Sequence, residues 1–172
     1  MKQRAIILIP EMSRIELIES IRTKYDPSVQ KVPPHITLVL PFWSSFSTKE
    51  LDNWIKKVLH HMPPFELELR GISMASNTFE NYLFLNVTKG KEEILALNEI
   101  LYDGLLKQFK KDLPYIPHMT VGKLQNKNDL DQAYEDVKKM GQAFTTAIDT
   151  VYITQIDENE ISQIEIAYSL IG

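Results

Sequence analysis

The chain contains no cysteine, which excludes disulfides, thiolate metal sites and a cysteine nucleophile. It also lacks any apolar run long enough to span a membrane. Met1-Lys2-Gln3-Arg4 followed by the apolar residues 5–9 has the outline of a signal sequence. The run is too short, however, it stops at Pro10-Glu11, and no small-residue cleavage site follows. It reads instead as the buried first strand of a cytoplasmic protein with no membrane partner. The patterns G-x-x-x-x-G-K-[ST], G-x-G-x-x-G and G-x-S-x-G are absent, so nothing points to ATP, a dinucleotide or a Ser-His-Asp triad. An excess of positive charge is missing too. Lys and Arg total 19 against 23 Asp and Glu, for a formal net charge of -4. That balance argues against extended duplex binding, while a small nucleotide or an RNA end needs only a local cationic pocket.

What the chain does contain is a repeat. Pro34-His35-Ile36-Thr37 recurs as Pro117-His118-Met119-Thr120. Given the Pro, His and Thr content, one chance match to P-H-x-T is expected at roughly 0.01 per chain, and two are rarer still. Side chains alternate along a strand, so His35 and Thr37 share one face while Ile36, Leu38 and Leu40 point into a core. In the second copy Met119 and Val121 take the core side, and His118 and Thr120 share the other. The proline before each histidine favours an extended backbone, which puts both rings at or near strand starts, where one face opens into a cleft. A single histidine so placed is better explained as a hydrogen-bonded, partly buried structural residue. The matched pair is what points to chemistry.

At 172 residues, 44% hydrophobic and 24% charged, the chain suits one domain, or one domain with two lobes. Periodicity predicts a strand over 5–9 and a helix capped by Ser13, with Glu16 completing a capping box, to about residue 25. The first motif strand spans 35–40. A second helix capped by Ser47, with Glu50, runs to 59, where His60-His61 read as cations at a helix end or as solvated residues. Strands follow over 65–69 and 82–87, then a long helix over 91–109, the second motif strand over 118–124 and a helix from about 129 to 140. Two long strands, 144–156 and 161–170, close the chain. The order strand, helix, motif strand, helix, strand occurs twice. The histidines are 83 residues apart and the strands after each motif begin 79 apart, at Phe65 and Phe144. These offsets support an internal duplication, about 1–80 and 81–172, with motif strands brought together across a shared groove.

Two histidines across a cleft can act as general acid and general base at once, because an unperturbed imidazole titrates near pH 6.5. Two hydroxyls on the same faces can donate to nonbridging phosphate oxygens. This set suits phosphodiester cleavage, above all the opening of a 2′,3′-cyclic phosphate, and requires no metal or other cofactor. A zinc site is the competing reading, but each motif supplies one imidazole and no neighbouring carboxylate. Phe42, Trp43 and Tyr115 are candidates to stack on a base, and Lys123 to meet an anion. For Phe42 and Trp43 a place in the core competes. Lys31 sits in the loop ahead of the first motif.

The paired segments His35-Ile36-Thr37-Leu38 and His118-Met119-Thr120-Val121 resemble the H-x-T-x motifs of the two-histidine (2H) phosphoesterases, which include the 2′-5′ RNA ligase-like cyclic phosphodiesterases. Tyr25-Asp26-Pro27 and Pro33-Pro34-His35 more closely resemble the YjcG-like phosphoesterases of Gram-positive bacteria. The resemblance implies an α+β, bilobal fold of two pseudo-twofold-related units, antiparallel sheets flanked by helices, and a metal-independent site between the lobes. It implies His35 as proton donor, His118 as proton acceptor, and Thr37 and Thr120 on the phosphate. Many relatives carry an arginine soon after the second motif, where this chain has Gly122-Lys123. A nucleotide-binding module without turnover and a 2′-5′ RNA ligase use the same groups, and the residues alone do not separate them from a hydrolase.

Overall fold

The periodic segments become β1 (Lys2–Leu8), α1 (Ile15–Tyr25), β2 (Ile36–Ser44), α2 (Thr48–Leu59), β3 (Phe65–Ser76), β4 (Asn81–Lys89), α3 (Lys91–Tyr102), β5 (His118–Leu124), α4 (Lys127–Val137), β6 (Ala143–Ile148), β7 (Thr150–Ile156) and β8 (Ser162–Ser169). The structure is a computed structural model and describes residues 1–171. All eight strands join one sheet in the order β6-β3-β4-β5-β2-β1-β7-β8, with every neighbouring pair antiparallel. The motif strands β5 and β2 meet at its centre, where the recorded pairing is Ile36 with Met119 alone. Four strands lie on each side of that junction. Among the described residues, no helix is long and apolar enough to cross a membrane.

Helices knit the two groups of strands together. Although α1 follows β1, it packs on β5; α3 follows β4 but packs on β2. The α3 stripe of Ile94, Leu97 and Leu101 is fully buried, and each such side chain contributes about 1.5–3 kcal/mol by leaving water. Asn98, the polar member of that buried face, donates from Nδ2 to the Leu38 carbonyl at 2.7 Å. The end of α1 approaches β5 closely because Gly122 has no side chain. A Cβ there would lie 3.1 Å from both Tyr25 Cβ and Leu83 Cδ1, tighter than packed carbons tolerate without displacement.

Several local expectations change. The first helix has Arg14, at φ 63°, as its N-cap, without a side-chain cap from Ser13, whereas Ser47 and Glu50 form the full capping box on α2. The long helix predicted over 91–109 ends at Tyr102, since Gly104 takes a φ of 77°, a left-handed turn that glycine adopts freely. A separate 3₁₀ turn covers Lys107–Phe109. Leu40 is 41% exposed instead of buried. Two register shifts between β1 and β2 interrupt the alternation there, and the Leu40 amide donates to Tyr102 Oη at 3.1 Å.

The predicted strand over 144–156 is two strands in different parts of the sheet. β6 pairs with β3, β7 with β1, and Asp149 lies between them. Leu69 pairs with Phe144 and Phe65 with Ile148, so the strands that follow the two motifs are neighbours. Reading the sheet order from either end instead matches β3 with β7 and β6 with β8. The two groups of strands therefore do not coincide with 1–80 and 81–172: one combines β1 and β2 with β7 and β8.

β8 is fastened to β1 by a buried ion pair. Arg4, fully buried, donates from Nε and Nη2 to Glu165 at 2.6 and 3.0 Å, and Thr48 donates to the same carboxylate at 2.6 Å. The Arg4 hydrogen bonds hold the Glu165 carboxyl down at about 2. A carboxylate whose folded value lies below its unfolded one stabilises at neutral pH, and that contribution disappears as pH falls from about 4.5 towards 2. Thermal melts across this window should show Tm falling, and Glu165→Gln should remove roughly 5 °C of the fall. An unchanged slope in the variant would mean the pair does not link protonation to folding.

Candidate active site

The Ile36–Met119 pair fixes what lies beside it. Extending this antiparallel register by one residue each way sets His35 opposite Thr120 and Thr37 opposite His118. Ile36 and Met119 are fully buried beneath, so the four polar side chains occupy the other face. Directly opposed residues have Cβ atoms about 4.5–5.5 Å apart, and diagonal ones about 7–8 Å. The two histidines are diagonal to each other on that face, as are the two threonines.

Both rings are held in the same way. His35 Nδ1 lies 2.9 Å from the Pro33 carbonyl, and His118 Nδ1 lies 2.6 Å from the Ile116 carbonyl. A carbonyl only accepts, so Nδ1 carries a proton and donates in each case, leaving Nε2 without that proton. The prolines at positions 34 and 117 help make this possible, because the extended backbone they favour in the preceding residue turns its carbonyl back beneath the ring. Burial is the main influence on both imidazoles and pushes each below the ordinary value of 6.5. Both are therefore neutral at pH 7, with Nε2 unprotonated and able to accept.

A cavity of about 330 Å³ opens on this face, bordered by His35, Thr37, Thr120 and Lys123. Its floor is formed by Ala5 and Ile7 of β1 and Thr154 and Ile156 of β7, which explains why the site needs strands from both ends of the described chain. Tyr82 forms the β4 side, with Lys123 Nζ 5.5 Å from its ring centre. His118 is not among the lining side chains; its ring stacks on Phe84 with centroids 3.7 Å apart, and Phe84 stacks in turn on Tyr82 at 5.7 Å. The alternation Tyr82-Leu83-Phe84 was the available signal for this aromatic ledge, which sequence reasoning missed. The hydroxyls of Thr37 and Thr120 have no hydrogen-bond partner among the described residues, so each can donate to an anion.

Other predicted contacts fall elsewhere. Phe42 is 4% exposed and packs on Phe109 with centroids 4.9 Å apart; its alternation with Trp43 sends it to the core side, away from the cavity. Trp43 is 55% exposed but borders an adjacent concavity with Gln3 and Gln155. Tyr115 donates its hydroxyl to the Thr37 carbonyl at 2.8 Å, so it ties the approach to β5 onto β2 instead of lining the cavity. His60 and His61 stack on each other at the end of α2. Among the described residues no three His, Asp or Glu side chains gather as a metal-binding group.

Sequence reasoning also missed Arg22 and Asp26, which carry the loop leading to His35. Arg22 is 1% exposed; its Nε donates to Asp26 at 3.0 Å and its Nη2 to the Val32 carbonyl at 2.8 Å. Asp26 accepts in addition from the Ser28 amide at 2.9 Å. The signal was a charged residue on the apolar face of α1. Neither arginine with a buried side chain, Arg4 or Arg22, borders the cavity, so Lys123 supplies the positive charge within it.

The chain is similar to known proteins. A family model described as the 2′-5′ RNA ligase superfamily matches residues 9–160. Proteins named "Putative phosphoesterase" are 26% identical in Bacillus pumilus, over 96% of this chain and 88% of the relative, and 30% identical in Bacillus cereus, over 74% and 72%. Among solved structures, Escherichia coli LigT complexed with 3′-AMP superposes with a TM-score of 0.65 at 14% identity, covering 99% of each chain. Kluyveromyces marxianus Usb1 with uridine monophosphate gives 0.59 at 11% identity, covering 98% of each. These likenesses establish the fold. With a family match over most of its length, the chain belongs to the 2′-5′ RNA ligase superfamily.

Proposed function

We propose that this protein is a metal-independent phosphoesterase that opens a 2′,3′-cyclic phosphate on a small nucleotide or an RNA end. The observation that carries this reading is the matched orientation of the two imidazoles, each giving Nδ1–H to the carbonyl two residues back and leaving Nε2 free. Thr37 and Thr120 donate to the nonbridging oxygens, and Lys123 offsets the phosphate charge. His118 Nε2 takes a proton from water as the water oxygen bonds to phosphorus. His35, protonated at Nε2, gives its proton to the ribose oxygen as the P–O bond breaks. These roles follow the family resemblance; the near symmetry of the four residues lets them exchange when the reaction runs backwards. The complexes of LigT with 3′-AMP and of Usb1 with uridine monophosphate support a nucleotide as ligand, and the cavity volume is of the size that holds a small ligand.

The test is turnover of nucleoside 2′,3′-cyclic phosphates and cyclic-phosphate-ended oligonucleotides in EDTA, with monoester product identified. Turnover that persists under chelation supports the reading, and turnover only on adding metal overturns it. The same assay has a predicted pH profile. One imidazole must be protonated and the other neutral, and burial places both below 6.5 in the free protein. The productive combination is therefore most populated below pH 6.5, and kcat/KM should fall about tenfold per pH unit well above it. A maximum at pH 8 or higher would contradict the assignment.

A further inference from the structure

The far rim of the cavity carries a carboxylate. Glu160 lies in the hairpin between β7 and β8 and borders the same cavity as His35 and Lys123. Its backbone has a φ of 64°, a left-handed conformation that glycine or asparagine adopts at lower cost. The hairpin is built to hold it there. The Glu160 amide donates to the Asp157 carbonyl at 3.0 Å, and the Asp157 side chain accepts from the Asn159 and Ile161 amides at 2.8 and 2.9 Å. The Glu160 side chain forms an ion pair with Lys31, and the adjoining Ser162 amide donates to the Lys31 carbonyl at 2.8 Å. A surface cation at the rim is thus already neutralised by the protein itself. Lys31, and to a smaller degree Lys123, keep this carboxyl ionised, below the ordinary carboxylate range.

Resting on the proposed nucleotide site, we infer that Glu160 is a selectivity residue: it restricts the cavity to ligands with one phosphate group and disfavours those with a second phosphate at the far rim. The single phosphate is held by the hydroxyls of Thr37 and Thr120 near the histidines. A second one, reaching the rim, meets the Glu160 carboxylate and finds the lysine beside it already paired with that carboxylate. Like charges brought together at a binding surface act chiefly by suppressing the wrong ligand. Uncharged parts of a nucleoside meet no such penalty, and their hydroxyl or amino groups can donate to the carboxylate.

The probes are adenosine 3′-monophosphate and adenosine 3′,5′-bisphosphate, with affinities measured by calorimetry on the intact protein. The wild type should bind the monophosphate about tenfold more tightly than the bisphosphate, or better. Glu160→Gln should narrow that ratio several-fold, Glu160→Lys should invert it, and Glu158→Gln on the same hairpin should leave it in place. A wild-type ratio near one, a ratio unaltered by Glu160→Gln, or an equal change in Glu158→Gln would overturn the inference. The expected ratios without turnover of any cyclic phosphate would retain it and remove the hydrolase reading. Binding of neither probe would remove both.

Discussion

Replacing either His35 or His118 with alanine should lower kcat on a 2′,3′-cyclic nucleotide by at least about 10², because in the proposed reaction each ring moves a different proton in the same displacement. The double variant should fall little below the worse single one, since the two groups act as a unit and their losses are not additive. Both histidines are only partly buried and make their side-chain hydrogen bond to a local carbonyl, so the variants should keep their Tm to within a few degrees. Single-turnover rates and thermal melts on the same preparations separate chemistry from folding. Full activity in either alanine variant would overturn the paired mechanism. The two are not equivalent in surroundings, however: His118 leans on Phe84, while His35 borders the cavity. Phe84→Leu should therefore act through His118, with a loss smaller than that from His118→Ala.

The largest stability effect is expected at Arg22. Its guanidinium is buried and bonded to Asp26, itself 8% exposed. Arg22→Ala would leave that carboxylate in place without its partner, a situation that costs about 3–5 kcal/mol. For a chain of this length, calorimetry should register a drop in Tm on the order of 10 °C. Arg22 also holds the Val32 carbonyl, just ahead of Pro33, whose own carbonyl orients His35. Kinetics below the variant's melting range should therefore show reduced kcat as well. A Tm within about 2 °C of wild type would mean that Asp26 finds water or another donor, and that the network does not brace the loop.

How far the sequence could be read depended on the range of the interaction. The motif strands were legible because alternation, a preceding proline and a repeated P-H-x-T are all local, and they placed His35, Thr37, His118 and Thr120 on one face. The separation of β6 from β7 was not. Only Asp149 interrupts a run of strand-forming residues, and the partner of each strand lies far away in the chain. The role of Tyr115 was hidden similarly, since its acceptor is a carbonyl on another strand. Phe42 was ambiguous because an aromatic residue beside a motif suits a core and a binding site equally. Arg22 and Asp26 look like solvated charges until the loop folds over them.

The shared ownership of the cavity floor has a consequence for the order of assembly during synthesis. β3, β4, β5 and β6 can pair as soon as the middle of the chain has emerged, but the edge of β1 away from β2 must wait for β7, with Ala5 paired to Thr154. Such distant pairings delay folding relative to local ones. A nascent chain ending before residue 150 would carry both histidine motifs yet lack Thr154 and Ile156 of the cavity lining. The cavity would thus be completed only at the last stage of folding, when the final hairpin closes the sheet.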